Sequence, residues 1–252
     1  MKNYEKIVTT LVEFLQSNVK NKGFDNVVYG LSGGIDSAVV AILCQKAFKE
    51  KSFALLMPAL NSSKNSVDDA LELCEKFEIY HKILPIKAPQ NAFGEILENL
   101  RCESLRMGNI CARLRMICLY DYSFVHKSLV IGTSNKSELM LGYGTIFGDM
   151  ACAINPIGSL YKTEIFELAR FLEVPKSILQ KAPSADFYEW QSDEKELGFS
   201  YEVLDGIMQL LEKGKTKEAI LQQGYSADAY ALVTNRVEKM AFKRELSTIA
   251  RL

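Results

Sequence analysis

The run Ser32-Gly33-Gly34-Ile35-Asp36-Ser37 is the segment of the chain whose residue types most clearly suggest chemistry. Two adjacent glycines allow backbone N–H groups to approach an anion closely, and the serine hydroxyls add further donors. A helix that starts here would also direct its positive N-terminus at the anion. Asp36 suits such an anion cradle when a cation lies beside it, and Mg²⁺ with nucleotide phosphates is the natural candidate. The run therefore predicts a nucleotide phosphate site.

A second interpretation of the Ser-Gly-Gly motif taken alone is a capped helix start after a tight turn, because short glycine motifs occur often by chance. The run is also not the GxxxxGK[ST] pattern, since the spacing differs and no lysine follows the glycines. Whether the motif is a phosphate site therefore depends on the strands and helices that surround it.

The elements predicted around this run alternate between strands and helices. The short apolar run over residues 27–31 predicts a buried strand, and further strands are predicted over 53–57, 82–86 and 129–132. This alternation favours an α/β fold with a mostly parallel sheet covered by helices on both faces. Helical patterns cover residues 7–15, 38–49, 66–77 with Ser66 as a possible cap, 91–122 with Gly108 as a possible interruption, 163–172, 201–211, 216–222 and 228–243.

Two polar clusters follow predicted strand ends, one after Leu31 and one after Gly132. Ligands of open parallel sheets bind beyond the carboxyl ends of the strands. Asp36 and Glu138 lie in or after these clusters, so we expect the two carboxylates to converge at one sheet edge. In isolation, Glu138 and Lys162 are more typical of solvated surface charges, and Arg113 could equally be a helix-surface arginine, because charged side chains are mostly exposed.

The second half of the chain contains two predicted loops and several helices. Five glycines and prolines crowd into residues 142–158, which indicates a loop whose backbone could lie close to a ligand, although a plain surface loop fits nearly as well. Residues 183–198 form a polar loop with Trp190. No repeat or linker divides the chain, so we expect one domain over residues 1–252 with a helical C-terminal portion.

Composition excludes several classes of protein. The chain has 252 residues, is 48% hydrophobic, and carries 30 basic against 31 acidic residues, which provides no charge for binding nucleic acid or an anionic membrane. Its apolar runs are shorter than the ~20 residues of a membrane span, and its start lacks a signal-peptide pattern. Six scattered cysteines and two histidines predict neither a zinc site nor a serine-protease triad. A cytoplasmic protein with reduced thiols is expected.

Residues 30–37 resemble the pyrophosphate loop of the N-type ATP pyrophosphatases. Within that superfamily, further segments are similar, in the same order, to those of the NAD synthetases: residues 108–116, 132–138, 142–149, 155–163, and 183–186 with 193–198. The resemblance covers about residues 5–245. It implies a Rossmann-like fold and the ATP- and Mg²⁺-dependent amidation of deamido-NAD⁺ through an acyl-adenylate, giving NAD⁺, AMP and pyrophosphate. A homodimer is also implied.

The resemblance further implies a role for particular residues. Mg²⁺ would be bound by Asp36 and Glu138, and deamido-NAD⁺ by Arg113 and Lys243, although Phe242 stands where the family often has a histidine before that lysine. Asp149 would orient ammonia or bind the pyridine end. ATP would be bound by Gly30, Leu31, Ser32, Gly33, Gly34, Ile35, Asp36, Ser37, Thr133, Lys162 and Ser184.

Free ammonia is the expected nitrogen source. Glutamine-using relatives carry an amidohydrolase domain, and neither the 29 residues before Gly30 nor the roughly fifty after Gly198 could house one. Other members of the superfamily, such as GMP synthetases and tRNA-modifying enzymes, are alternatives, as is a catalytically silent nucleotide sensor. The net charge of −1 argues against tRNA.

Overall fold

The central element of the structure is a parallel β-sheet. The structure is a computed structural model that describes residues 2–60, 62–97, 103–183, 192–245 and 247–250. Within these residues the sheet has four strands in the order β3-β2-β1-β4. Val27 of β1 is paired with β2 on one side and with β4 on the other. The chain therefore reverses its direction of winding at β1, and the crevice between the carboxyl ends of β1 and β4 is the switch point where such sheets bind ligands. The strands are β1 (Asn26–Gly30), β2 (Ser52–Leu56), β3 (His81–Ile83) and β4 (Ser128–Val130).

Helices connect the strands and continue beyond the last one. In chain order they are α1 (Tyr4–Asn21), α2 (Ile35–Phe48), α3 (Lys64–Lys76), α4 (Lys87–Ile96), α5 (Ser104–Val125), α6 (Lys136–Leu141), α7 (Lys162–Phe171), α8 (Lys176–Leu179), α9 (Asp193–Leu197), α10 (Tyr201–Glu212), α11 (Lys217–Leu221) and α12 (Ala227–Lys239). Short 3₁₀ turns follow α2 at Lys49–Lys51 and α12 at Ala241–Arg244. None of the helices in the described ranges is long and apolar enough to cross a membrane.

Successive residues of β1 face two different cores, as a period of two requires. Val27 and Tyr29 pack with α1, α2, α3 and α7, whereas Val28 packs with α4 and α5 on the opposite face. A third core joins α6 to α9, α10, α11 and α12. The predicted parallel sheet with helices on both faces and a helical C-terminal portion is thus confirmed.

Two local predictions are wrong. Ser66 does not cap α3: the cap is Ser63, whose side chain accepts from the Ser66 N–H, and Ser66 lies buried in the first turn. Both serines fit the capping pattern. Because the earlier serine is the N-cap, Asp68 and Asp69 lie after the first turn of the helix. Gly108 does not interrupt a helix either, since it lies buried inside α5. A glycine costs a helix only about 1 kcal/mol, which packing readily offsets.

Other differences concern short elements. The long helical pattern over residues 91–122 is divided between Ile96 and Ser104, into α4 and α5. Strand β3 has only three residues, and α6 and α8 are too short for a periodicity to reveal. The predicted loop over residues 183–198 contains α9, whereas Trp190 lies outside the described residues.

Candidate functional site

A cavity of about 550 Å³ opens at the carboxyl ends of β1 and β4. It is therefore located where the topology predicts a ligand. Polar and charged side chains line it together with the glycine-rich backbone of two loops. Among the described lining residues are Gly30, Leu31, Ser32, Gly34, Ile35, Asp36, Ser37, Thr133, Glu138, Gly142, Tyr143, Gly144, Thr145, Gly148, Asp149, Lys162, Asp193 and Lys243.

The loop between β1 and α2 has its shape fixed by its own serines and by one glycine. The hydroxyl oxygens of Ser32 and Ser37 are 3.0 Å apart, and the Gly34 N–H donates to the first of them. Gly33 has φ +80°, and a Cβ there would lie 2.1 Å from the carbonyl oxygen of Ser66. The loop backbone therefore lies directly against α3, at a distance that only glycine permits.

The first turn of α2 is available to an anion. Gly34 is the N-cap residue, and no side chain of the described chain caps the helix. Its first N–H groups therefore lack the side-chain acceptor that usually satisfies them. Ile35 and residues 37–44 are buried, so the helix is held rigidly in the core. A phosphate group at this N-terminus would meet fixed donors and a favourable helix dipole.

Three charged side chains that the sequence places far apart meet beside this loop. The Nζ atom of Lys162, the first residue of α7, lies 2.5 Å from Oδ2 of Asp36 and 3.4 Å from Oε1 of Glu138. Lys162 is only 3% exposed, so its charge depends on these two partners. Asp36 and Glu138 thus lie together at one sheet edge, as predicted.

The electrostatics of the cluster follow from burial and from like charge. Burial, together with the charge of Asp36, raises the pKa of Glu138 to about 8, although Lys162 opposes this effect. Burial lowers the pKa of Lys162, but the carboxylates of Asp36 and Glu138 outweigh it and the net pKa is raised. Lys162 is thus held in its charged form, and a single ammonium group does not fully compensate its two carboxylate neighbours.

The chemistry of the two carboxylates fits Mg²⁺. This ion commonly takes one or two carboxylate ligands together with substrate phosphates and water. No group of three or more His, Cys, Asp or Glu side chains among the described residues is arranged to hold a metal by itself. Asp36 and Glu138 could therefore hold Mg²⁺ only together with phosphate and water oxygens.

Asn135 connects both carboxylates, although no role was predicted for it from the sequence. Its Nδ2 group donates to Oδ1 of Asp36 at 2.8 Å. Its side chain also caps α6 by accepting from the Glu138 N–H, while the Asn135 N–H donates back to Oε2 of Glu138. This reciprocal capping box has an Asn-x-x-Glu pattern, which was the available signal in the sequence.

Asp193 is a second residue that sequence reasoning left without a role. It is buried, borders the cavity and accepts a hydrogen bond from the hydroxyl of Tyr201 at 3.3 Å. Its Oδ1 atom has no partner within the part of the chain that the structure describes. The residue lies in a segment, 193–198, whose resemblance to the NAD synthetases was the only indication of its importance.

The glycine-rich segment 142–149 contains Asp149 and forms another wall of the cavity. Asp149 accepts from the Thr145 N–H at 2.6 Å, and burial raises its pKa. The Arg113 guanidinium donates to the carbonyl of Ile146 at 3.3 Å, and Arg113 is not among the described residues that border the cavity. Thr133 borders it, whereas Ser184 lies outside the described residues.

Three basic residues of the C-terminal region donate hydrogen bonds to backbone carbonyls at the end of α6 and just beyond it. Arg236 donates to Leu141, Arg244 donates to residues 139 and 140, and Lys243 donates to residues 142 and 144 at 2.8 Å each. Helix C-termini favour such cations. We call Arg236, Lys243 and Arg244 the basic clamp; it fixes the point from which the glycine-rich segment departs.

Comparison with known proteins gives one consistent family. A family model described as NAD synthase matches residues 7–247. The NH(3)-dependent NAD(+) synthetase of Helicobacter pylori (strain P12) is 53% identical, over 99% of this chain and 97% of the relative. A solved NH3-dependent NAD synthetase from Campylobacter jejuni is 44% identical with a TM-score of 0.86, covering 99% of this chain and 100% of the other. An NMN synthetase from Francisella tularensis is 35% identical with a TM-score of 0.88, and the match covers 100% of both chains.

The substitution Gly33→Ala is expected to lower the free energy of unfolding by about 2 kcal/mol or more, because it strains a positive φ and forces a Cβ against the Ser66 carbonyl. Gly34→Ala is the matched control, since φ −91° and ψ 159° suit any residue. Its loss should stay below about 1 kcal/mol. Urea denaturation measures both values, and equal losses would contradict the proposed close approach.

Proposed function

The chain belongs to the NAD synthase family, and from that membership we propose that it converts deamido-NAD⁺, ATP and free ammonia into NAD⁺, AMP and pyrophosphate. The observation that carries the proposal is the cluster of Asp36, Glu138 and Lys162 beside the uncapped start of α2. An open helix N-terminus next to charged groups is suited to a polyphosphate and a cation.

Two chemical steps make up the reaction. A carboxylate oxygen of the nicotinate group bonds to the α-phosphorus of ATP, the bond to the bridging oxygen breaks, and pyrophosphate leaves with the electron pair. Ammonia then attacks the carbonyl carbon of this acyl-adenylate, AMP leaves, and the nitrogen loses a proton. Neither step needs a nucleophilic side chain, so the protein acts by positioning its substrates and by stabilising charge.

The β- and γ-phosphates would lie against the 30–37 loop, where the backbone N–H groups of the loop and the start of α2 supply donors. Lys162 provides a fixed positive charge beside them, because its pKa is raised and its side chain is buried. Preorganised donors and charges of this kind stabilise the departing pyrophosphate without reorganisation. We propose that Thr133 and Ser184 also contact ATP.

Asp36 and Glu138 would hold Mg²⁺ with oxygens of the phosphates. When bound, the ion supplies neutralisation of the negative charge on those phosphates. The donor set described above supports this assignment, since both carboxylates reach one ammonium group. Asn135 keeps the two carboxylates in place through its bonds to each of them.

For deamido-NAD⁺ we propose Arg113 and Lys243 as binding residues and Asp149 as the residue that orients ammonia or the pyridine ring. Their shared contact with the glycine-rich segment supports a common substrate site. Arg113 would act through that segment, because its guanidinium donates to the Ile146 carbonyl. The match to a solved NMN synthetase points to one competing activity, the amidation of the corresponding mononucleotide. Parallel assays with deamido-NAD⁺ and with that mononucleotide separate the two activities.

We propose that residues 1–252 form one domain for this reaction. The family match over residues 7–247 and the contacts of the basic clamp with α6 support this boundary. A reducing compartment such as the cytoplasm remains the expected location, and the described cysteines are all free thiols, which supports it.

A homodimer is supported by an exposed apolar surface on α5. Ile117, Tyr120 and Phe124 are spaced three, four and seven residues apart, so they share one stripe of the helix. The exposed fraction of Phe124 is 88%, an unusual degree for a phenylalanine. We name Leu105, Ile117, Tyr120, Phe124 and Val125 the α5 surface and propose that it packs against a second copy of the chain.

Asp36→Asn or Glu138→Gln should each lower turnover by about a hundredfold or more, because a charged ligand for the phosphate-bound cation is lost. Each variant leaves Lys162 one carboxylate partner, so the fold should persist. Steady-state formation of AMP and circular dichroism measure the two effects. Asp25→Asn, which changes an exposed carboxylate, is the control and should retain full activity. Near-wild-type turnover of both site variants would refute the Mg²⁺ assignment.

At fixed total ammonium, the initial rate should rise with pH, because the unprotonated molecule is the nucleophile. Rates measured at several pH values should coincide when they are plotted against the concentration of free ammonia. Formation of NAD⁺ from glutamine as efficiently as from ammonium, by the purified protein alone, would contradict this expectation. A rate that follows total ammonium at every pH would contradict it as well.

Phe124→Lys on the α5 surface should shift the protein from dimer to monomer, because a charge would be buried at the interface. Sedimentation velocity over a range of protein concentrations measures the change. The matched control is Ile249→Lys, which replaces another exposed apolar residue outside α5 and should leave the dimer unchanged. A monomeric parent protein at all concentrations would overturn the proposal.

A further inference from the structure

Asp205 on α10 is a buried carboxylate that the reaction outlined above does not use. It is only 1% exposed, and it does not border the cavity. Its Oδ1 atom accepts from the Ser137 hydroxyl at 2.5 Å, and its Oδ2 atom accepts from both the N–H and the hydroxyl of Thr163, at 3.0 and 2.9 Å. Three donors thus converge on one carboxylate, which offsets the cost of removing its charge from water.

The partners of Asp205 are the chain neighbours of two site residues. Ser137 precedes Glu138 at the start of α6, and Thr163 follows Lys162 at the start of α7. Ser137 closes the network, because its hydroxyl oxygen also accepts from the Lys162 N–H at 2.8 Å. The first turns of both helices are therefore bonded to a single group on α10.

We propose that Asp205 is a positioning residue that sets the separation of Glu138 from Lys162 and so shapes the place where Mg²⁺ and the phosphates of ATP bind. This inference rests on the function proposed above. Misplacement of a reacting group by about 1 Å costs about a hundredfold in rate, and groups that orient metal ligands typically contribute ten- to hundredfold. The negative charge of Asp205 also lies at the N-terminus of α7, where a helix dipole favours it.

Asp205→Asn tests the proposal because it keeps the shape of the side chain while it replaces an acceptor by a donor. We expect kcat to fall by about tenfold or more. The Mg²⁺ concentration for half-maximal activity should rise by about fivefold or more. Calorimetry without deamido-NAD⁺ should show a similar weakening of MgATP binding, and this second readout does not depend on turnover.

Ile207→Ala is the matched control, since Ile207 lies fully buried on the same helix and makes none of the hydrogen bonds of this network. It should lower the melting temperature at least as much as Asp205→Asn and leave the Mg²⁺ dependence unchanged. If it shifts the Mg²⁺ dependence as far as Asp205→Asn does, the role of Asp205 is merely structural and the proposal is wrong. Wild-type MgATP affinity in a folded Asp205→Asn protein would overturn it equally.

Ser137→Ala provides a second variant in case Asp205→Asn does not fold. It removes the bond between α6 and Asp205 and should shift the Mg²⁺ dependence in the same direction by a smaller factor. A folded Ser137→Ala protein with an unchanged Mg²⁺ dependence would overturn the proposal. A parent protein that binds MgATP but makes no NAD⁺ would refute the proposed function, while the calorimetry would still decide the role of Asp205.

Discussion

The structure of the site depends on one buried ammonium group. Lys162 is almost completely removed from water, and a charge in that position is tolerated only when it is paired. Its partners come from the first turn of α2, which follows β1, and from α6, which follows β4, so a single ion-pair cluster joins both sides of the switch point. Leaving such a buried charge without any partner typically costs about 3–5 kcal/mol. The requirement for pairing therefore fixes the positions of the same carboxylates that we propose as Mg²⁺ ligands.

Helix α6 shows how a very short element can hold a site residue accurately. Six residues cannot form a stable helix alone, because nucleation is unfavourable. The capping box of Asn135 and Glu138 satisfies its first turn, and the basic clamp satisfies its last carbonyls. Both ends are therefore held by side chains, and tertiary contacts supply the stability that the short sequence lacks.

The part of the site that could be predicted from sequence is the part that depends on sheet topology. Asp36 and Glu138 converge because the carboxyl ends of neighbouring parallel strands meet at one edge, and both ends were visible as polar clusters. Lys162 entered only through the family resemblance. Asp205 gave no signal, since its partner Ser137 is 68 residues away and only the packing of α10 on α6 and α7 brings them together.

The basic clamp has a consequence for the order in which this protein is synthesised. Lys243 follows Gly142 by 101 residues, and ribosomes add about 5–20 residues per second. For several seconds, a nascent chain that already includes every strand of the described sheet still lacks the side chains that donate to the carbonyls of residues 139–142 and 144. The wall of the cavity that the glycine-rich segment forms therefore gains the bonds of the basic clamp as one of the last events of biosynthesis. A chain that stops before Arg236 would lack all three basic side chains and with them the support of the segment that carries Asp149.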